Sequence, residues 1–232
     1  MSRYNAKYLK QSAPAKKRLP FLSVFVSFVL VELFGFCFLL PEGEEGTFPL
    51  LFGLLWSCIL TALVYVIPGK LSRILYGITY FLTAVYAGVQ TGYYILFSEM
   101  MWLSDFRYAS EGADYADVLL TYPAGWWLGI FGLIAQGILI LWRFPAVKRT
   151  ARKLMFSCLV IAASFAGLDL LPEVIFAEDD KIKYAGSDYG RSQSAEAVYE
   201  NMFNTHRLYR LCGLQQTLAK DIYKHAVYPL TP

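Results

Sequence analysis

The sequence predicts an all-α polytopic membrane protein with five transmembrane helices and an extracytoplasmic linker helix. Hydrophobic residues make up 56% of the 232-residue chain, and its mean hydropathy is +0.42, both unusual for a soluble domain. The chain also repeats apolar stretches of the roughly 20 residues that a helix needs to cross a bilayer. Together these observations favour a multi-pass membrane protein.

Charge sorting predicts the orientation. When the chain is divided into five spans, one face collects 13 of the 21 basic residues and none of the 18 acidic ones. The other face holds sixteen acidic residues, and the remaining two, Glu32 and Asp169, lie within spans. Because Lys and Arg beside short loops resist translocation, the amino terminus is predicted to be inside and the carboxyl terminus outside.

The predicted elements begin with a basic cytoplasmic tail at 1–18, followed by a transmembrane domain at 19–172. Its spans are predicted at about 19–40, 48–67, 74–97, 124–142 and 154–171, the last ending before Pro172. In the third span Ala84, Gly88 and Gly92 recur every four residues, which predicts close packing against another helix of this chain.

Two segments are predicted to lie outside the membrane core. Residues 98–123 are too polar to span but contain Trp102 and other large apolar side chains, so a short helix in the outer interface is expected. Residues 173–232 form the predicted extracytoplasmic linker, with helical periodicity that Gly213 should interrupt. This segment cannot build a core of its own and should pack against another part of the molecule.

Glu32 is the first candidate functional residue, because an acid within a span is costly and is often functional. Gln90, Gln136 and Thr91 on other spans are possible partners. Two interpretations stay open: a polar pocket that accepts a lipid headgroup or a proton, or a protonated glutamic acid hydrogen-bonded between helices. Asp169 is expected only to reach the interface.

Arg107 and Trp102 are candidates for contact with a lipid headgroup at the outer surface. Arg107 is the only basic residue in the outer segment, and its guanidinium could hold a phosphate bidentately. The alternative is a local ion pair with Asp105 or Glu111.

The sequence contains no Gly-rich phosphate loop, nucleophile elbow or zinc motif. The basic residues collect at span ends without a nucleic-acid motif, so no nucleic-acid partner is expected. The four cysteines are expected to be buried thiols rather than a disulfide framework, with only Cys212 clearly on the outer side. These residues alone therefore predict no catalytic site and no cofactor.

Several short motifs carry a resemblance. They are GYYILF at 92–97, ADYAD at 113–117, the basic loop before the last span, SAEAVY at 194–199, YRLCGLQQT at 209–217 and DIY at 221–223. Together they resemble the third span, the following loop and the linker of lipoteichoic acid synthase-like proteins, which are phosphoglycerol transferases of the alkaline phosphatase and sulfatase superfamily.

The resemblance implies a role in cell-envelope polymer synthesis at the bacterial plasma membrane. Family members transfer glycerol phosphate from phosphatidylglycerol with a sulfatase-like domain that uses a threonine nucleophile and a divalent metal, commonly manganese. That domain would begin beyond residue 232, so no catalytic residue carries over and this chain alone is expected to be inactive. The expected function is the anchoring and lipid-presenting module of such an enzyme. The implied partners are a membrane phospholipid such as phosphatidylglycerol and a catalytic domain or full-length relative.

Two other functions stay open. Glu32, Gln90 and Gln136 could line a path through a small transporter or channel. The chain could instead be a non-catalytic membrane partner that regulates a full-length family member through its linker.

Overall fold

The structure is a computed structural model that describes residues 22–40, 47–108, 118–144, 151–183, 195–202 and 204–227. Within these ranges the chain is helical and contains no strand. The α-helices in chain order are α1 Leu22–Leu39, α2 Thr47–Val66, α3 Lys70–Phe97, α4 Ala124–Trp142, α5 Ala151–Lys183, α6 Ala195–Asn201 and α7 Thr205–Val227. The predicted all-α class is therefore confirmed for the described part of the chain. The predicted basic tail and the terminal residues 228–232 lie outside the described residues.

Four of these helices are long and apolar enough to cross a membrane. They are α1, α2 over Phe48–Val66, α4, and α5 over Ala151–Phe176. The predicted third span corresponds to α3, whose 28 residues give ample length. Its tyrosines, threonines and Gln90 make it less apolar than the other four. The structure thus supports a multi-pass membrane protein with four apolar spanning helices, and α3 as a fifth span stays a prediction.

The helix of the fifth predicted span is longer than the span itself. Helix α5 continues through Pro172 to Lys183 instead of stopping at Leu171. Leu168 and Ile175, on either side of the proline, are buried in the same hydrophobic cluster. This packing holds the helix on both sides of a residue that lacks an N–H, as neighbouring helices commonly do in membrane proteins.

Two hydrophobic clusters form the core. The first joins α1, α3 and α4 around Phe28, Tyr76, Tyr80 and Leu133. The second joins α2 and α5 to the C-terminal helices, and contains Phe52, Ile59, Leu168, Ile175, Val198, Leu208 and Cys212. The C-terminal segment therefore belongs to the core of the bundle, in agreement with the prediction that it packs against another part of the molecule.

The small residues of α3 do allow a close approach to α4. A Cβ added at Gly88 would lie 3.1 Å from the Ile130 side chain, and one at Gly92 would lie 3.2 Å from Tyr122. The Tyr122 hydroxyl also donates to the Gly92 carbonyl at 2.8 Å. The predicted role of this stripe in packing within the chain is confirmed.

The segment between α3 and α4 differs from the single helix that the sequence predicted. Helix α3 ends at Phe97 and is capped by Ser98, which has a left-handed backbone (φ 56°). Two short 3-10 helices follow, at Leu103–Tyr108 and Val118–Thr121, and residues 109–117 lie outside the described part. Met100 and Met101 are buried in the protein. The start of the segment is therefore attached to the bundle through these two side chains.

Candidate functional site

Glu32 of α1 is bound by the backbone of α7. Its carboxylate oxygens accept hydrogen bonds from the N–H of Leu214 at 2.5 Å and from the N–H of Gln215 at 3.3 Å. The side chain is only 3% exposed. We call this contact the Glu32 clamp. It joins two helices whose residues lie more than 180 positions apart.

A break in α7 makes these two N–H groups available. Gly213 has a non-helical backbone (φ 77°, ψ 178°), so a new helical segment begins at Leu214. The first N–H groups of a helix have no partner within it, and the aligned peptide dipoles make that end attractive to a negative charge. The two side-chain oxygens of Glu32 supply one acceptor for each of these N–H groups. The predicted interruption at Gly213 is confirmed. The N–H groups that it leaves unpaired bind Glu32.

Two glycines leave the space that the carboxylate occupies. A Cβ at Gly213 would lie 2.5 Å from Glu32 Oε1 and 2.7 Å from the Pro49 carbonyl oxygen. A Cβ at Gly53 of α2 would overlap Glu32 Cγ. Glycine is therefore required on both sides of the Glu32 side chain.

Side chains of α7 complete the hydrogen bonding at the break. The Thr217 hydroxyl donates to the Gly213 carbonyl at 2.7 Å, and the Cys212 thiol to the Leu208 carbonyl at 3.0 Å. Cys212 is completely buried, and burial raises the pKa of its thiol to about 12. Since the thiolate is the nucleophilic form, Cys212 has the properties of a structural thiol.

A second tether lies two turns further along α7. Asp221 is completely buried, and its carboxylate accepts the N–H of Leu103 at 2.7 Å. The His225 ring lies 3.6 Å from the other carboxylate oxygen. The Asp221 carboxylate therefore attaches α7 to the start of the first 3-10 helix.

Burial raises the pKa of the Asp221 carboxyl above its ordinary value. The Leu103 N–H, His225 and Lys224 act in the opposite direction, and Asp105 adds to the increase. The folded protein therefore binds this proton more tightly than the unfolded chain does. By linkage, Asp221 favours the folded state more as pH falls from neutral towards the ordinary carboxyl range, and less as pH rises.

We expect Asp221→Asn to weaken this pH dependence. Asparagine keeps an oxygen that can accept the Leu103 N–H but carries no charge. Thermal unfolding of the purified protein at about pH 4, close to the ordinary carboxyl pKa, and at about pH 7 should show a smaller difference for the variant than for the wild type. Asp221→Ala should instead be destabilised at both pH values by about 1–3 kcal/mol, because the N–H loses its partner. An unchanged pH dependence in Asp221→Asn would contradict this role.

A third set of polar contacts joins α2, α6 and α7. The Trp56 indole donates to Gln216 at 2.6 Å, and the Gln216 amide donates to the Tyr199 hydroxyl at 2.8 Å. The Lys220 ammonium donates to the Tyr199 carbonyl at 2.6 Å and lies 3.3 Å from the centre of the Tyr199 ring. Burial lowers the pKa of Lys220. These contacts hold the two C-terminal helices against α2.

The glutamines predicted as partners of Glu32 bind other groups. Gln90 donates to the carbonyl of Met101 at 2.6 Å and accepts its N–H at 3.0 Å, so it fixes the segment after α3. Gln136 lies 3.4 Å from the Tyr80 hydroxyl. Thr91 accepts a hydrogen bond from the Trp126 indole at 2.8 Å. The three side chains named as possible partners of Glu32 thus have other hydrogen-bond partners in the structure.

The remaining candidate residues are Asp169, Trp102 and Arg107. Asp169 is exposed and acts electrostatically on Tyr199. Trp102 is half-buried, with the Lys224 ammonium 4.6 Å from its ring centre. Arg107 lies in the first 3-10 helix, but its side chain is outside the described part of the structure. The proposed pairing of Trp102 and Arg107 at a headgroup thus stays a prediction.

The backbone donors at Leu214 and Gln215 were missed because backbone groups carry no sequence signature of their own. The available signal was Gly213 itself, a helix breaker inside an otherwise periodic stretch. A broken helix exposes unpaired N–H groups, and a buried acid elsewhere is a natural acceptor for them.

Comparison of the chain with protein-family models, with curated proteins and with solved structures gives no match. Among the described residues, no group of three or more His, Cys, Asp or Glu side chains could hold a metal ion. The hydrogen bonds of Glu32 and Asp221 are suited to holding α7 in position on the bundle.

Proposed function

We propose that this chain is the membrane-anchoring and lipid-presenting module of a lipoteichoic acid synthase-like phosphoglycerol transferase in the bacterial plasma membrane. The amino terminus lies inside, five helices cross the membrane, and the C-terminal segment emerges on the outer side. The observation that supports this role most directly is the Glu32 clamp, because it attaches α7 to a membrane-embedded helix. The motif resemblance supplies the enzyme class.

In this proposal the contribution of the chain is positional. The Glu32 clamp and the Asp221–Leu103 bond hold α7 at a fixed depth and join it to the segment that contains Trp102 and Arg107. A phospholipid headgroup at that segment would lie beside the helix that leads to the C-terminal residues. Transfer of glycerol phosphate is assigned to a sulfatase-like domain associated with the C-terminal segment, and to no residue of the bundle.

We expect the purified protein to bind phosphatidylglycerol and to release no glycerol phosphate from it. Arg107→Ala should weaken binding by about 1.5–3 kcal/mol, the value of a hydrogen bond to a charged group, or roughly tenfold or more in Kd. Binding can be measured by flotation with liposomes that contain phosphatidylglycerol, and release by mass spectrometry of the soluble fraction.

Arg143→Ala is the matched control, because Arg143 follows α4 at its other end, beside the Trp142 ring. Its binding should equal that of the wild type. Equal losses in the two variants would indicate a general charge effect and contradict a headgroup site at Arg107. Turnover of phosphatidylglycerol by this polypeptide would overturn the assignment of the chemistry to another domain.

A further inference from the structure

An apolar groove runs along the contact between α2 and α5, on the side that faces away from α7. The buried face of this contact is formed by Phe52, Ile59, Leu168 and Ile175, which pack in the cluster that includes the C-terminal helices. The groove has a volume of about 350 Å³. It is lined by other residues of the same two helices, among them Leu51, Leu54, Cys58, Gly167, Leu170 and Val174.

Both walls of the groove belong to helices that are apolar enough to cross a membrane. Leu51 and Leu54 on one wall are 39% and 40% exposed, and Leu170 and Val174 on the other are each 60% exposed. In a bilayer these surfaces face hydrocarbon. The lining has no charged side chain, so the occupant that fits is itself a hydrocarbon.

Gly167 and Leu55 meet where both residues line the groove. A Cβ at Gly167 would lie 3.2 Å from the Leu55 side chain, so a larger residue at this position would push Leu55 aside or project into the groove. The volume is near the lower end of the range of about 300–1,000 Å³ for small-molecule pockets. A single chain fits this space better than a whole lipid.

The groove lies at the depth of the Glu32 clamp, on another face of α2. Gly53, which packs against the Glu32 side chain, is between Leu51 and Leu54 in the sequence. We propose that the groove binds one acyl chain of a membrane lipid and is a specific lipid-chain site. This proposal goes beyond the anchoring function, because it concerns a different surface and requires no particular headgroup.

The test uses the full chain in nanodiscs of phosphatidylcholine that contain a small fraction of phosphatidylcholine with a diazirine in the acyl chain. After illumination, labelled residues are identified by mass spectrometry. We expect labelling to concentrate at the groove, above its level at Phe131 and Ile138, which are 60% and 62% exposed on α4. Gly167→Leu should reduce labelling at the groove about tenfold, equivalent to about 1.4 kcal/mol.

Gly132→Leu is the matched control, because a Cβ at Gly132 on α4 meets no atom within 4 Å. It should leave labelling at the groove unchanged. Since leucine at position 167 presses on Leu55, Val174→Trp provides a second variant that blocks the groove from its exposed side and should give the same reduction. Equal labelling of the groove and α4 in the wild type, or no reduction in either groove variant, would overturn the proposal. Phosphatidylglycerol is absent, so the result does not depend on the anchoring function.

Discussion

Glu32→Ala should release α7 from the bundle. The substitution removes the acceptor for the Leu214 and Gln215 N–H groups in a site that is almost completely buried. Each buried donor left unpaired costs about 1–3 kcal/mol, so the loss should be about 2–6 kcal/mol. Hydrogen exchange measured by mass spectrometry should show faster exchange over Thr205–Val227, while α4 keeps its protection.

Two variants test the cause of that loss. Glu32→Gln keeps one oxygen acceptor and replaces the other with an amide group that cannot accept, so its exchange should lie between those of the wild type and Glu32→Ala. Glu99→Ala removes an exposed acid just after α3 and should match the wild type. If Glu32→Ala kept wild-type protection in α7, the clamp would not be what holds the helix.

Gly213→Ala should be strongly destabilising. Its backbone angles (φ 77°, ψ 178°) lie in a region that only glycine enters readily, and other residues there cost about 1–3 kcal/mol. The added Cβ would also overlap Glu32 Oε1 and the Pro49 carbonyl oxygen. We expect a loss of at least about 3 kcal/mol, which thermal unfolding of the purified protein will measure as a lower Tm.

Gly132→Ala is the control, since it lies within α4 with open space around it. Its free energy of unfolding should equal that of the wild type, or exceed it by up to about 1 kcal/mol because alanine has the higher helix propensity. Because Gly213 and Glu32 form the same contact, Glu32→Ala combined with Gly213→Ala should cost less than the two separate losses added together. Simple additivity would show that the two residues act independently.

The sequence predicted the helices well where the signal is local. Apolar length identified α1, α2 and α4 closely, because the hydrocarbon thickness sets the number of residues in a span. Gly213 was recognised as a helix break from its own chemistry, and the glycines of α3 as a packing surface from their spacing. In each case the information lies within a few turns of the chain.

The sequence misled where packing overrode a local preference. Pro172 was expected to end the fifth span, but buried neighbours on both sides keep α5 helical to Lys183. The segment after α3 was expected to be one surface helix. Instead, Gln90 and Asp221 bind its backbone near Met101 and Leu103, and these bonds favour short 3-10 turns attached to the bundle.

The sequence by itself determined the helical class of the described residues and the positions of the four apolar helices, because apolar length is a property of each segment alone. Only the tertiary structure decided what Glu32 binds. Its partners are two backbone N–H groups far along the chain, which become donors only after Gly213 breaks α7 and the break lies against α1. Such a contact depends on how two distant segments pack, and no local pattern of side chains specifies it.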